Sequence, residues 1–172
     1  MNKFEVFDSG ETLAYVYLHD EYRTENWTLG MNRYDLELAS ESMVTHIHEF
    51  AHLLSLRDSE VDYYADEASC EGYFIDEYCY YNDAYIAYYY DFFYANGAPK
   101  HILDHYISEY AMTSIVEDFA ETFAHFVLTQ KPAGNTLVEG KILYFYEYDN
   151  LIELRADILS RVATWIDRTV VE

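Results

Sequence analysis

The chain has 172 residues and a formal net charge of −22, with 32 acidic side chains against ten lysines and arginines. A domain of this size buries about 70% of the surface of its unfolded chain, so we expect one domain over residues 1–172. An apolar share of 51% with 20 tyrosines excludes a disordered acidic tail. The charge argues against nucleic acid and anionic lipid as partners, because phosphate groups would be repelled. No apolar run approaches the roughly 18 residues of a membrane span.

The N-terminal region of the chain, residues 1–39, predicts a small sheet. Aromatic-rich alternating runs predict strands at Lys3–Phe7 and Thr12–Leu18, joined by a hairpin-type turn at Asp8–Gly10. A third run predicts a strand at Asn26–Asn32. The first residues lack the basic and apolar regions of a signal peptide, so we expect none in this chain.

The remainder of the chain is dominated by helical patterns. Apolar residues at spacings of three and four predict one helix within residues 40–57 and others at 114–128 and 137–146. The last predicted helix is long and begins at Leu151. The sequence therefore predicts a mostly helical α+β fold, with a small N-terminal sheet and a helical C-terminal part over residues 100–172.

Residues 58–99 form an acidic, tyrosine-rich segment without any lysine or arginine, and the aromatic spacing from Phe74 to Phe92 predicts one or two helices. One interpretation is an acidic solvated face over a tyrosine-lined core. The other is a wall of a binding cleft that favours cationic or aromatic ligands. A calcium loop does not fit, because Tyr63 and Ser69 occupy the positions of its glycine and its final glutamate.

Cys70 and Cys79 are the only cysteines, and they do not form a Cys-x-x-Cys pair. Two buried free thiols and a disulfide both remain open. A disulfide requires a break between the two positions, because nine residues along one continuous helix separate the sulfurs too far.

The predicted helix of residues 40–57 contains His48-Glu49-Phe50-Ala51-His52, an HExxH motif. Residues four apart on a helix face the same way, so both imidazoles can bind one zinc ion. Glu49 is then placed to accept a proton from a water molecule on the metal. The alternative is a pair of partly buried helix histidines, and His46 lies on a different side of the helix. The motif predicts Zn²⁺ as cofactor, one per chain.

A catalytic zinc needs three protein ligands and one open position, and two candidates compete for the third ligand. Asp58 lies six residues after the second histidine, but Ser55 replaces the glycine that allows the chain to turn there. The better candidate is Glu117, which shares one face of a predicted helix with Glu121. A capping box with Ser114 is the alternative role for Glu117, and a helix-surface acid is the alternative for Glu121.

His48-Glu49-Phe50-Ala51-His52 followed by Glu117-x-x-x-Glu121 resembles the gluzincin arrangement of zinc metallopeptidases. The pattern is most similar to the catalytic domains of anthrax lethal factor and the Pro-Pro endopeptidases. The resemblance implies a zincin-like fold, with Glu117 as the third zinc ligand and Glu121 supporting a ligand histidine. It also implies that Tyr110, seven residues before Glu117, assists the transition state.

The stretch from Tyr106 to Arg155 also resembles zinc-binding metallopeptidases of bacterial, often exported, proteins. The resemblance lies in residues 107–111, 117–121 and 140–146. It implies an exported or extracellular protein rather than a cytoplasmic one.

Zincins of the resembled kind present an edge strand to an extended substrate, which implies that Leu29, Gly30 and Met31 bind substrate. The chain after the HExxH motif lacks the continuation found in lethal factor and the Pro-Pro endopeptidases. The acidic tyrosine-rich segment is also foreign to those enzymes, so their substrate preferences do not carry over.

The function that follows is a zinc-dependent endopeptidase acting on peptides or proteins, with Glu49 as general base and Tyr110 as a hydrogen-bond donor to the oxyanion. The segment 58–99 would favour basic or aromatic peptides. Two other functions remain open. A compact acidic domain can mimic nucleic acid in a basic groove of a partner, and a zinc-binding protein can lose catalysis and serve as an interaction module.

Overall fold

A computed structural model describes residues 3–8, 10, 12–18, 26–34, 39–96 and 102–169, with the backbone alone for 39–41 and 165–169. The mostly helical α+β fold is confirmed. The helices are α1 (Ala39–Ser55), α2 (Tyr85–Phe93), α3 (Ile115–Leu128), α4 (Leu137–Tyr144) and α5 (Asp149–Thr169). Short 3₁₀ turns lie at Leu103–His105, Tyr110–Met112 and Phe145–Glu147. None of the helices within the described ranges is both long and apolar enough to cross a membrane.

Within the described residues, the strands form two sheets of three strands each. The strands are β1 (Lys3–Phe7), β2 (Ala14–Leu18), β3 (Trp27–Asn32), β4 (Val61–Asp62), β5 (Tyr73–Ile75) and β6 (Tyr78–Tyr80). The first sheet has the order β1-β3-β2, with β1 parallel and β2 antiparallel to β3. The second sheet has the order β4-β6-β5 and is antiparallel throughout.

The predicted hairpin between β1 and β2 is wrong, because β3 lies between these two strands. All six residues of β3 are buried. A strand that is apolar or small on both faces gains most from the centre of a sheet, where both of its faces and both of its edges are covered. The local turn signal near Gly10 could not reveal this, since strand order depends on residues distant in sequence.

The prediction that β3 is an edge strand is also wrong. Leu29, Gly30 and Met31 each have one partner on β1 and another on β2. Both edges of β3 are therefore occupied by neighbouring strands, and a substrate cannot add to it. The absence of a side chain at Gly30 makes room for the ring of Tyr15, which crosses directly over it.

Of the one or two helices predicted in the acidic segment, one is present in its described residues 58–96, namely α2, whereas the stretch around Phe74 and Tyr78 forms the β5–β6 hairpin instead. The hairpin turns at Asp76 and Glu77, whose φ angles are 48° and 70°. Two left-handed residues define the tight turn that matches the twist of a hairpin. Neither residue is glycine, so the turn carries no strong sequence signal.

The tyrosine-lined core of this segment is confirmed. Tyr80 and Tyr89 are fully buried, and Tyr85 and Tyr94 are nearly so. The break required for a disulfide is also present, because the second cysteine lies in β6 and the first in the loop before β5. Cys70 and Cys79 are bonded, with their Cα atoms 5.6 Å apart.

The main core joins the sheet and the helices through one hydrophobic cluster that extends from Trp27 to Leu151. Helix α3 contributes more buried residues to this cluster than any other described element, with Phe119, Phe123 and Phe126 fully covered. Helix α1 packs against α3. This packing turns the polar face of α1 towards the first turns of α3, where the site lies.

Candidate metal centre

The motif histidines lie on the face of α1 that meets α3. His48, Glu49 and His52 are all buried, with exposures of 6%, 6% and 7%. An adjacent, apolar face of the helix places Ile47, Ala51 and Leu54 in the core. The helical spacing of these apolar residues therefore fixes which way both imidazoles point.

Helix α3 begins with a capped turn that positions its first acid. Ser114 is the N-cap, and its hydroxyl accepts a hydrogen bond of 3.2 Å from the backbone N–H of Glu117. The carboxylate of Glu117 extends to the motif histidines of α1. The Ser114 cap uses only the backbone N–H of Glu117, and the carboxylate that a full capping box would turn back to Ser114 is directed at the histidines instead.

Three ligand atoms converge at the α1–α3 contact. The Nε2 atom of His48 lies 3.0 Å from Nε2 of His52 and 3.1 Å from Oε2 of Glu117. The distance from Nε2 of His52 to Oε2 of Glu117 is 3.3 Å, so the three atoms form a nearly equilateral triangle. Ligands bound 2.0–2.1 Å from a tetrahedral zinc ion lie about 3.3 Å from each other. The triangle therefore has the size that one zinc ion requires, and these three residues are the group within the described ranges that could hold a metal ion.

The hydrogen bonding around His48 supports the same conclusion. Its Nδ1 atom lies 2.9 Å from Oε1 of Glu121. An ionised carboxylate only accepts hydrogen bonds, so Nδ1 carries the proton and the neutral ring directs the lone pair of Nε2 at the other two ligand atoms. Three lone pairs that point at one another repel unless a cation lies between them, so the donor set fits a metal ion.

Without a metal, a proton replaces the missing positive charge. Burial opposes protonation of His48, but its hydrogen bonds to Glu117 and Glu121 raise its pKa to about 9. Burial likewise opposes ionisation of Glu117, but hydrogen bonds from His48 and His52 lower its pKa to about 2. The site is thus held together in the metal-free protein by an imidazolium between two carboxylates.

Glu121 connects the histidine to the segment before α3. Its Oε2 atom accepts a hydrogen bond of 2.7 Å from the hydroxyl of Ser108, which also accepts one of 3.1 Å from the N–H of Ala111. Hydrogen bonds from His48 and Ser108 lower the pKa of Glu121 and keep it ionised. Sequence reasoning missed Ser108 as a site residue, because a serine thirteen residues before Glu121 has no helical relation to it.

Glu49 and Tyr110 lie beside the three ligand atoms. Burial raises the pKa of Glu49. The centroid of the Tyr110 ring lies 5.8 Å from that of the His48 ring. Tyr110 itself is 55% exposed. Partial burial and the negative charge of Glu117 raise the pKa of Tyr110 to about 12, so its hydroxyl retains its proton at neutral pH.

A pocket of about 690 Å³ opens at this site, within the range of small-molecule and peptide side-chain pockets. Its lining comes from the start of β2, from one face of α1, from the 3₁₀ turn at Tyr110–Met112, and from α3. The lining residues are Thr12, Leu13, Ala14, Val44, Thr45, His48, Glu49, Tyr110 and Glu121.

None of the lining residues belongs to the segment 58–99, so the prediction that this segment forms a wall of the cleft gains no support here. Asp58, the competing third ligand, is exposed on the surface after α1. It is not a member of the group that converges with the two histidines.

A buried HExxH helix that faces a glutamate of a second helix defines a candidate metalloprotein of the HExxH class. The chain belongs to the family described as "Putative zinc-binding metallo-peptidase", whose sequence model matches residues 19–167. No curated protein and no solved structure matches the chain.

Proposed function

We propose that the protein is a zinc-dependent endopeptidase of the gluzincin type, which hydrolyses peptide bonds with a water molecule activated at the metal. The observation that carries this proposal is the convergence of three metal-ligand atoms within 3.0–3.3 Å of each other, next to Glu49 and Tyr110. Family membership supports zinc binding and peptidase chemistry independently of that geometry.

His48, His52 and Glu117 hold one zinc ion per chain in this proposal. Three protein ligands leave one coordination position open, as a catalytic zinc requires. When bound, zinc lowers the pKa of a coordinated water towards about 7 and polarises the carbonyl group of the substrate. Glu121 accepts the Nδ1–H of His48 and so keeps Nε2 directed at the metal position.

Glu49 is the general base. It cannot share the position of the two histidines, because it lies one residue along the helix from His48 and therefore points beside the metal position. Burial raises its pKa and brings it closer to neutral, where a general base accepts and releases a proton most efficiently. It takes a proton from the attacking water and later delivers it to the amine that leaves.

Tyr110 donates a hydrogen bond to the oxyanion that develops on the attacked carbonyl. Its pKa of about 12 supports this role, because a donor must retain its proton throughout the reaction. Its ring is exposed beside His48 at the lining of the pocket, so its hydroxyl is available to a substrate bound there.

The substrate is an extended peptide that runs along β2. Within the described part of the sheet, β2 pairs with β3 on one side and lies at the edge on the other, and its start lines the pocket. Such an edge can pair with a peptide backbone. Substrate pairing with Leu29, Gly30 and Met31 is therefore not part of the proposal.

The pocket favours aromatic or aliphatic side chains and disfavours acidic ones. Leu13, Val44 and Tyr110 expose 56%, 41% and 55% of their surface at its lining. The carboxylates of Glu49 and Glu121 lie at the same pocket, and the whole chain carries −22. Acidic peptides would meet a repulsive field, whereas basic residues elsewhere in a substrate would be attracted.

Two measurements test the proposal. The purified protein should contain about one zinc ion per chain and should cleave members of a peptide library. Glu49→Gln should retain the zinc and lose turnover by about 10²- to 10⁴-fold, since the amide cannot accept the proton. Glu67→Gln makes the same chemical change at an exposed position and should have no effect. Full activity in Glu49→Gln would refute the role of the general base.

The same measurements separate the other candidate functions. Stoichiometric zinc without cleavage of any library member would indicate a zinc-binding interaction module. A protein without zinc that competes with nucleic acid for a basic partner would be an acidic mimic. Neither alternative accounts for a buried Glu49 beside three convergent ligand atoms.

A further inference from the structure

A lysine and an aspartate are sealed inside the helical half of the protein, close to the candidate metal centre. Lys141 of α4 and Asp118 of α3 both have fully buried side chains, and Nζ lies 2.7 Å from Oδ2. Asp118 follows Glu117 in α3, so it projects about 100° around the helix from the metal ligand. Removing two charges from water is costly, and apolar residues often stabilise such a position equally well. A geometric role is a better explanation for this pair than stability alone.

The carboxylate of Asp118 is held at one of its two oxygens. Its Oδ2 atom accepts hydrogen bonds of 3.0 Å from the hydroxyl of Tyr89 and 2.7 Å from that of Tyr94. Both tyrosines belong to the acidic tyrosine-rich segment, in and just after α2. These bonds fix the aspartate as a rigid counter-charge for the lysine.

The ammonium group of Lys141 reaches beyond Asp118 to the backbone. It donates a hydrogen bond of 2.9 Å to the carbonyl oxygen of His105 and lies 4.1 Å from the centre of the Tyr106 ring. His105 is the last residue of a 3₁₀ turn. Lys141 therefore anchors the point at which the chain leaves that turn and runs towards the metal centre.

The segment that leaves this anchor carries two residues of the site within five positions. Ser108 donates to Glu121, which in turn holds His48. Tyr110 lies beside the His48 ring. A displacement of the His105 carbonyl would be passed along this short connection to both side chains.

We infer that Lys141 is a positioning residue: paired with Asp118, it fixes the His105 carbonyl and thereby holds Ser108 against Glu121 and Tyr110 beside His48. The inference rests on the proposed peptidase function for its effect on turnover, but the geometry that it describes exists without substrate.

Two variants separate positioning from general stability. Lys141→Met removes the charge and the donor and leaves Asp118 buried without its cation, so it should also lower the melting temperature. The double variant Lys141→Met/Asp118→Asn removes both charges, while the amide oxygen still accepts from Tyr89 and Tyr94. Stability should largely return in the double variant, but the His105 carbonyl still has no donor.

The measurements are kcat and KM at saturating zinc, the melting temperature, and hydrogen exchange of the amides of Ala111, Met112 and Thr113. Both variants should show kcat lowered about 10- to 100-fold with little change in KM, because small misplacements of catalytic groups have effects of that size. The three amides should exchange faster in both variants, since their hydrogen bonds lie within the displaced segment.

Arg155→Met is the matched control. Arg155 also donates to backbone carbonyls, of Phe126 at 2.7 Å and Thr129 at 2.8 Å, but at the far end of α3. Its loss should lower stability without changing kcat or the exchange of residues 111–113.

A double variant that regains wild-type kcat and wild-type exchange along with its stability would overturn the inference and leave Lys141 a structural residue. Failure of the proposed function is a separate outcome, visible as no turnover by the wild-type protein. In that case, hydrogen exchange of the amides of residues 111–113, compared between the wild type and the two variants, decides by itself whether Lys141 holds the segment after His105.

Discussion

The Nδ1 atom of His48 lies 2.9 Å from Oε1 of Glu121, across 73 residues of sequence. The bond joins α1 to α3 and selects the ring tautomer whose free nitrogen points at the other ligand atoms. The orientation of a proposed zinc ligand is thus set by a residue that does not belong to the HExxH motif.

Replacing Glu121 with glutamine should therefore weaken zinc binding without abolishing it. We expect about 10- to 100-fold lower affinity, the usual effect when the hydrogen-bond partner of a ligand histidine is changed. Competition with a chromogenic chelator measures this. Ser108→Ala removes only the bond that supports Glu121 and should have a smaller effect in the same direction. Unchanged affinity in both variants would mean that His48 is oriented by packing alone.

Glu117→Ala should empty the metal site, whereas Asp58→Ala should not. Glu117 lies 3.1 and 3.3 Å from the two histidine nitrogens, and Asp58 is exposed outside the converging group. Metal analysis after gel filtration distinguishes the two variants. The reverse result would show that the third ligand has been assigned wrongly.

Tyr110→Phe should lower kcat by about 10²- to 10³-fold and leave zinc content unchanged, because one donor to the oxyanion is lost and no ligand is removed. Tyr64→Phe is the matched control, since Tyr64 is 80% exposed and lies outside the pocket lining. Steady-state kinetics on the best library peptide measure the effect. Equal rates in the two variants would leave Tyr110 as a packing residue.

The metal-free protein should show an unusual dependence of stability on pH. The pKa of His48 is raised from 6.5 to about 9, so its stabilising contribution is fully present below pH 6.5 and is lost as the pH rises through 9. The free energy of unfolding of the wild type should therefore be larger than that of His48→Gln, and the difference should shrink as the pH rises from 6.5 to about 9. Urea titrations in a chelating buffer at several pH values measure the margin.

His125 provides an internal comparison of opposite sign. Burial lowers the pKa of His125. The contribution of this histidine to the free energy of unfolding is therefore lost as the pH falls below 6.5. A margin between wild type and His48→Gln that grew with pH would contradict the arrangement of an imidazolium between two carboxylates.

Breaking the disulfide should destabilise the protein without affecting the metal site. Closing a loop of nine residues contributes about 2.5 kcal/mol by chain entropy. Urea unfolding of the Cys70→Ala/Cys79→Ala variant, and of reduced wild type, measures this contribution. Zinc content should remain at the wild-type value, because no residue of the bridged loop lines the pocket. Loss of zinc in both samples would show that the loop supports the site.

Much of the metal centre follows from the sequence because its two halves are local. Residues four apart on a helix share a face, so the motif alone places His48 and His52 together and Glu49 beside them. The same rule puts Glu117 and Glu121 on one side of α3. Strand positions and the mostly helical composition are equally local, since they depend on periodicity within a few residues.

The relations between these local pieces depend on the tertiary structure. The order of the first sheet follows from the burial of β3 on both faces, which no turn signal reports. The hairpin at Asp76 and Glu77 forms with two left-handed residues that the sequence does not mark. The sheet order comes from contacts with residues distant in sequence, and the hairpin comes from the pairing of β6 with both β4 and β5; these contacts outweigh the local preference.

The sequence by itself determined which groups are available: two imidazoles, a neighbouring carboxylate and a second helix with paired acids. Only the tertiary structure decided that these groups meet, because the contact between α1 and α3 joins residues that lie far apart in the chain. It also decided which residues support them. Ser108 has no periodic relation to the motif, and it reaches Glu121 from a short segment that follows His105, whose carbonyl oxygen accepts a hydrogen bond from Lys141.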